Sequence, residues 1–208
     1  MKDYSNYHGL NTNDKITHDG LLILEQSLDG FAGYEVIIND SIHSKVLIYE
    51  KWDSNSETKK VIGRIQDIER GNLLKVRELN WLITTLPEDN KIYRKAEIQL
   101  CNSTFPISSN KTSVLIGYNE FDEPIYEDTV TEVTSPCIVS TSMQSANTDE
   151  PINLPEGQIE VTIPYTESEN ILEGKEFKMY NATYKIIGID YTKAINQTGL
   201  VIIKGKRV

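Results

Sequence analysis

Residues 68–86 read IERGNLLKVRELNWLITTL, and residues 171–189 read ILEGKEFKMYNATYKIIGI. The two stretches align without a gap at a constant offset of 103 residues: Ile68 on Ile171, Gly71 on Gly174, Lys75 on Lys178, Trp81 on Tyr184, Ile83 on Ile186 and Leu86 on Ile189. Carried through the next loop, the same offset sets Glu97–Leu100 on Leu200–Ile203. A self-match at fixed offset marks an internal repeat, here a tandem pair of modules. Alternating β patterns resemble one another cheaply, so chance similarity of two hairpins is the competing explanation. Duplication makes the stronger statement, that residues 61–101 and 164–203 share strand order and pairing.

Within the repeat, Gly71 and Gly174 each open a strand at a turn, where positive φ or close backbone approach calls for glycine. Trp81 and Tyr184 each start the return strand and plug the bottom of a small barrel or sandwich. A large ring at one place in two copies reads as a core layer and needs no ligand.

Working outward, NDKITHDGLLILEQSLDG (13–30) predicts a helix with Leu21, Leu24 and Leu28 on one face and Gly30 at its C-terminal cap. YEVIIND (34–40), SKVLIYEKW (44–52) and KKVIGRI (59–65) read as an antiparallel meander, with DSNSET as the clearest turn. GNLLKVRELNWLITTL gives strand, tight connection and strand, and YRKAEIQLC (93–101) closes the first module. NSTFPISSNKTS (102–113) has the composition of a linker. SVLIGYNEFDEPIYEDTVTEV then reads as a β-hairpin with an acidic tip, and QSANTDEPINLPEG (144–157) as a second loop. GQIEVTIPY, the repeated segment and the short basic strand GLVIIKGKRV complete the second module.

These readings give a mainly β fold of two related small antiparallel β-barrel or sandwich modules, with one N-terminal helix and a protruding β-hairpin. The expected divisions are 1–102 for the helix and first module, 103–157 for linker and acidic hairpin arm, and 158–208 for the second module, packed with strands from 113–143. Two modules of about 100 residues can each bury a core.

Composition narrows the function. The net charge is −10, with 31 acidic against 21 basic residues, which argues against a protein built to neutralise phosphates. The two cysteines, Cys101 and Cys137, support neither a disulfide framework nor a four-ligand zinc site, and a reduced cytosolic history is expected. No signal peptide or spanning helix is expected. The sequons at Asn102, Asn110, Asn181 and Asn196 read as loop and turn asparagines.

Chemistry is sparse. His8, His18 and His43 lie in the tail, the helix start and a turn. The His18–Asp19 pair invites a metal reading, but no second cluster at ligand spacing stands nearby, and Asp19 suits the first turn of a helix. Neither G-x-S-x-G nor a glycine-rich phosphate loop nor H-E-x-x-H occurs. Asp122–Glu123 and Glu127–Asp128 fall in an acidic turn-rich loop, a poor place to raise a carboxylate pKa for acid or base work. No enzyme, cofactor or metal site is expected.

The run from LDGFAGYEVIIND through GNLLKVRELNWLITTLPEDNKIYRKAEIQLCN to IPYTESENILEGKEFKMYNATYKIIGID and GLVIIKGK resembles small structural proteins of tailed phages and prophages of Gram-positive bacteria. It covers about two thirds of the chain, and its motifs are packing motifs. The resemblance implies a head-tail connector component, of neck adaptor or head-closure type. Such a protein forms a ring of its own copies under the portal and touches portal or adaptor and tail-side neck proteins. DNA passes nearby without specific binding, and no membrane is involved. This chain departs from the shorter head-closure pattern by its two modules and acidic hairpin. The alternative is a two-module β binding protein, tail-associated or host-interacting, with no catalytic role. In either case Phe121, Ile125 and Tyr126, apolar groups in the acidic tip, are the candidate interface residues.

Overall fold

The computed structural model describes residues 11–50, 57–119, 121, 124–144, 151–153 and 157–208. The chain divides into two compact units, Met1–Leu100 and Cys101–Val208.

In the first unit the helix α1 (Thr12–Asp29) precedes β1 (Gly33–Ile38), β2 (Ile42–Glu50), β3 (Thr58–Gly63), β4 (Leu73–Val76), β5 (Leu79–Ile83), β6 (Glu88–Asp89) and β7 (Arg94–Leu100). The β1–β2–β3 meander is antiparallel, β3 pairs with β7, β7 with β5, β5 with β4, and β4 returns to β1. Six strands therefore close a ring, and β6 extends it beside β7. Alternation places Val36, Ile38, Val46, Val61, Leu74 and Ile83 inside, with Ile68 from the β3–β4 connection.

Helix α1 lies on this barrel through Leu24 and Leu28, which are buried. Leu21, expected on the same buried face, remains 41% exposed. Only two turns of the stripe reach the core; one residue before Leu21, Gly20 fits against Ile92, where a β carbon would stand 2.5 Å from the side chain. Arg64 fastens the helix from below, its Nε and Nη2 donating to the Glu25 carboxylate at 2.8 and 2.6 Å. Lys45 donates to Asp29 at 2.9 Å. Gly30 stands at the helix end as expected, but in extended conformation (φ −78, ψ −176) and not the left-handed one. The position that requires glycine is Gly33, where a β carbon would lie 1.9 Å from the Leu28 carbonyl oxygen.

The second unit contains β8 (Ser103–Tyr118), β9 (Pro124–Ser140), β10 (Ser142–Gln144), β11 (Pro151–Asn153), β12 (Gln158–Pro164), β13 (Glu176–Met179), β14 (Ala182–Asp190), β15 (Ala194–Ile195) and β16 (Thr198–Arg207). Its main sheet runs β13-β14-β16-β12-β9-β8, with β15 beside β16, while β10 and β11 form a separate ribbon. Residues 103–113 are therefore strand and not linker. The backbone of Pro106 is bonded into a ladder on one side only, which is how a strand tolerates proline.

The central hairpin is duplicated pair for pair. β4 and β5 pair as Leu74↔Trp81 and Val76↔Leu79; β13 and β14 pair as Phe177↔Tyr184 and Met179↔Ala182, each shifted by 103. Gly71 donates to the Ile83 carbonyl at 2.9 Å and Gly174 to that of Ile186 at 2.8 Å. Both glycines have positive φ, 94 and 86. Trp81 and Tyr184 are both in the cores.

One expectation fails. Ile83 faces Ile98, whereas Ile186 faces Gly205, so the closing strand is displaced by 107 residues and Glu97–Leu100 corresponds to Lys204–Arg207. The extra residues of the second copy lie in its longer strands, β14 and β16, and in a bulge of β14 between Ile186 and Gly188. The four-residue slip is even, so inward and outward faces are kept. The remaining strands correspond too: β3 to β12 (Val61↔Ala96 against Val161↔Ile203), β2 to β9, and β1 to β8. The second barrel thus takes its last two walls from the base of the hairpin, where Phe105 and Cys137 are buried. Of the expected packing partners, 113–143, the end of β9 does line the barrel, with Ile138, Val139 and Ser140 paired to β12, whereas the β8 wall at Phe105 lies before that range.

The barrels differ at one seam. Ile37 pairs with Lys75 and Asn39 donates to the Leu73 carbonyl at 2.9 Å, closing the first ring. The residue corresponding to Ile37 is Pro106, which has no N–H to give. Among the described residues β8 and β13 do not pair. The Phe105 and Phe177 rings, 5.1 Å apart, fill the seam from inside, and Ser168 donates its hydroxyl to the Ile107 carbonyl from outside.

Candidate functional site

Beyond the barrel, β8 and β9 continue as a two-stranded arm, paired from Ser108↔Val133 to Tyr118↔Pro124, with bulges after Pro106 and Leu115. Eleven residues at strand rise give it a length of about 35 Å. Its root is clamped by Asn102, which donates to the Val139 carbonyl at 2.9 Å and accepts from the Val139 amide at 2.8 Å. This ties down one sequon; Asn181 and Asn196 sit in turns with φ 60 and 50.

At the tip, Asn119 accepts from the Phe121 amide at 2.9 Å, forming a local turn. The Phe121 side chain is 83% exposed and Tyr126 is 59% exposed. Ile125 lies opposite Gly117 in the ladder; its side chain falls outside the described residues, as do Asp122 and Glu123. Leu115, Ile116 and Val133 add further exposed apolar surface along the arm. An extended ribbon offers two faces and no interior, so these groups have no barrel to enter. The geometry separates the candidate residues into two classes: Phe121 and Tyr126 stand on the arm, while Gly71, Trp81, Gly174 and Tyr184 serve the barrels.

Elsewhere the chemistry is quiet. His18 and Asp19 are 3.7 Å apart and both exposed. His43 is in β2, and His8 lies outside the described residues. Among the described residues no group of three His, Cys, Asp or Glu could hold a metal ion. Burial pushes the thiols of Cys101 and Cys137 up to about 12, far from a reactive thiolate. Desolvation also raises the carboxyl of Glu160, against the pull of Lys204. Among the described residues no helix is long and apolar enough to cross a membrane.

The sequence did not signal the outer surface of α1, where Ile16, Leu22 and Ile23 are exposed, or the full exposure of Phe31 after it. A helical stripe identifies one buried face but cannot tell that apolar residues off that stripe stay in solvent.

Comparison with known proteins gives two domain matches that together span most of the chain. The YomX N-terminal domain matches residues 6–100 and the YomX C-terminal domain residues 119–206. The SPbeta prophage-derived uncharacterized protein YomX of Bacillus subtilis (strain 168) is 39% identical over 211 residues, an alignment covering 100% of this chain and 97% of that protein. No solved structure matches.

Proposed function

The chain belongs to the YomX family, and from that premise we propose that it is a phage-derived, non-enzymatic virion structural protein that forms a ring in the head-tail connector. The observation that carries this reading is the arm: a ribbon projecting from a duplicated barrel, with Phe121 and Tyr126 exposed at its tip. Large rings held out in solvent among carboxylates have the make-up of a contact patch, with apolar anchors and a charged rim. The prophage origin named for the relative supports a virion setting, and the resemblance in the packing motifs favours the neck. In such a ring an acidic lumen lets duplex DNA pass without the counterion release that drives adhesion. Assembly takes place in the host cytoplasm, on the portal or adaptor above and against tail-side proteins below.

The test is an inventory by mass spectrometry of purified particles and detached necks, joined to a density map of the neck. The chain should be present in stoichiometric multiples at the neck. Its presence only at the distal tail would favour the tail-associated binding module, and its absence from particles would end both readings.

A further inference from the structure

The last three long strands of the second barrel, β13, β14 and β16, carry a charge opposite to that of the arm. Residues 175–207 contain seven Lys and Arg against two carboxylates, Glu176 and Asp190, in a chain whose net charge is −10. Strand alternation sorts these cations outward. On β13 and β14, Phe177, Met179, Tyr184 and Ile186 are buried, while Lys178 and Lys185 are exposed. Lys185 stands beside Lys206 of β16 in the ladder. Among the described residues none of Lys178, Lys185 and Lys206 makes an ion pair. Glu176 faces Lys185 from β13, and apolar groups flank the cations: Ile187, two residues beyond Lys185 and 46% exposed, and Tyr180, two residues beyond Lys178 and 61% exposed. Tyr180 sits in the β13–β14 turn with φ 49, a conformation that a bulky residue adopts rarely. A hollow lined by Lys178 to Thr183 opens at this turn.

Residues 109–133 of the arm hold six carboxylates and one lysine, Lys111, together with the exposed Leu115, Ile116, Phe121 and Tyr126. The two surfaces match in charge and in having apolar anchors. The ladder leads the arm away from its own barrel, so the match is met by another copy. We propose that the arm of one copy docks on the cationic outer face of the second barrel of the next copy, around Lys178, Tyr180, Lys185 and Lys206. Arm and face are different patches of one chain, so the contact is heterologous, the kind that repeats head to tail and closes into a ring. It lets a chain of net charge −10 assemble, because the contact itself joins opposite signs. A cationic face could instead hold nucleic-acid phosphates; the apolar groups within it and the matching arm on the same chain favour protein.

Two variants of the full chain, each with one introduced cysteine, Phe121→Cys or Tyr180→Cys, and carrying tags of different size, test this. Cys137 is buried and the half-buried Cys101 is replaced by serine in both variants, so a short bismaleimide joins only the introduced thiols. Mixed at low salt, the variants should give the mixed dimer in excess of its statistical share over either same-variant dimer. That excess should vanish in 1 M salt, where screening shortens to about 3 Å. Lys178→Glu, Lys185→Glu and Lys206→Glu together in the Tyr180→Cys chain should abolish it. Combining that chain with an arm carrying Glu127→Lys, Asp128→Lys and Glu132→Lys should restore it. A statistical dimer distribution at low salt overturns the proposal. So does retention of duplex DNA by the parent that the triple lysine change removes while the dimers stay statistical. The inference rests on the ring-forming reading of the arm, but the two fail separately: crosslinks without the chain in particles end the neck reading, and particles without crosslinks end this contact.

Discussion

The Phe177 ring lies over Gly205, its ζ carbon 2.9 Å from where a β carbon on that glycine would stand. The corresponding pair in the first barrel is Leu74 and Ile98, both fully buried. A large ring with no side chain in one copy replaces two medium side chains in the other, so each barrel is filled by its own combination. Gly205→Ile alone should overpack the second barrel and cost about 1–3 kcal/mol. Phe177→Leu alone should leave a void, and the two changes together should recover much of the loss. A denaturant double-mutant cycle measures the coupling; additive effects would show that the ring and the glycine do not share that space.

Trp81 and Tyr184 carry the same register position with different surroundings. Trp81 is 7% exposed, and the Lys59 ammonium lies 5.6 Å from its ring centroid. The Tyr184 ring stacks on Phe177 at 5.7 Å. Trp81→Ala should cost about 3–5 kcal/mol, and Tyr184→Phe less than about 1 kcal/mol, since the ring carries the burial. Thermal melts of both variants decide; a Trp81→Ala protein as stable as the parent would remove Trp81 from the core.

How far the fold could be read in advance depended on loop length. The β4–β5 and β13–β14 hairpins are compact and keep a constant offset, so Gly71, Trp81, Gly174 and Tyr184 were legible as a duplicated unit. Length changes around them shift β16 by four residues, the strand matching β3 by three and those matching β2 and β1 by twelve or more, which an ungapped comparison cannot follow. Pro106 hid the start of β8, because a proline beside serines and asparagines has the composition of a linker. It is tolerated there because the β8–β13 seam stays unpaired. At the arm, Phe121 and Tyr126 were legible as apolar residues out of place in an acidic turn. The cationic face was not, because its lysines come from three strands whose adjacency only pairing reveals.

Acid should loosen the first unit before the second. In the first, hydrogen bonds from Arg64, Lys45 and Lys95 lower the carboxyls of Glu25, Asp29 and Glu88, and the Lys91 amide lowers Asp89. Lowered carboxyls contribute stability that is present above their unfolded values, 4.5 for Glu and 3.8 for Asp, and is lost as pH falls through the folded values. Among the described residues of the second unit only Asp190 is lowered, by the Thr192 amide, while burial raises Glu160. A raised carboxyl acts in the opposite sense, favouring the fold as it takes up its proton. Both tryptophans, Trp52 and Trp81, belong to the first unit. Below pH 4.5 tryptophan fluorescence should therefore report unfolding before the amide protons of β16 lose protection. Simultaneous loss would contradict it.

The thiols give a check on the second barrel. Burial holds Cys101 and Cys137 near 12, so neither should react with iodoacetamide at pH 8 in the folded protein. Both should react once denaturant opens the chain. Mass spectrometry after brief labelling reads the outcome, and rapid alkylation of Cys137 without denaturant would show that the seam beside Pro106 opens in solution.

The arm separates stability from assembly more sharply than any other part of the chain. Phe121 and Tyr126 are exposed in the free protein, so replacing both with serine removes little buried area, and the melting temperature should stay nearly unchanged. If the arm anchors the chain against a neighbour, the same change removes the apolar centre of that contact and leaves only its charged rim, which is weak alone. Particles from a phage carrying Phe121→Ser and Tyr126→Ser should then lack the chain and contain no retained DNA. The paired measurement is a melt of the purified protein and a count of DNA-filled, infectious particles. Normal particle yield would make the tip dispensable. A collapsed melting temperature would mean the two rings fold back on their own hairpin, since only groups already buried can lose stability on truncation.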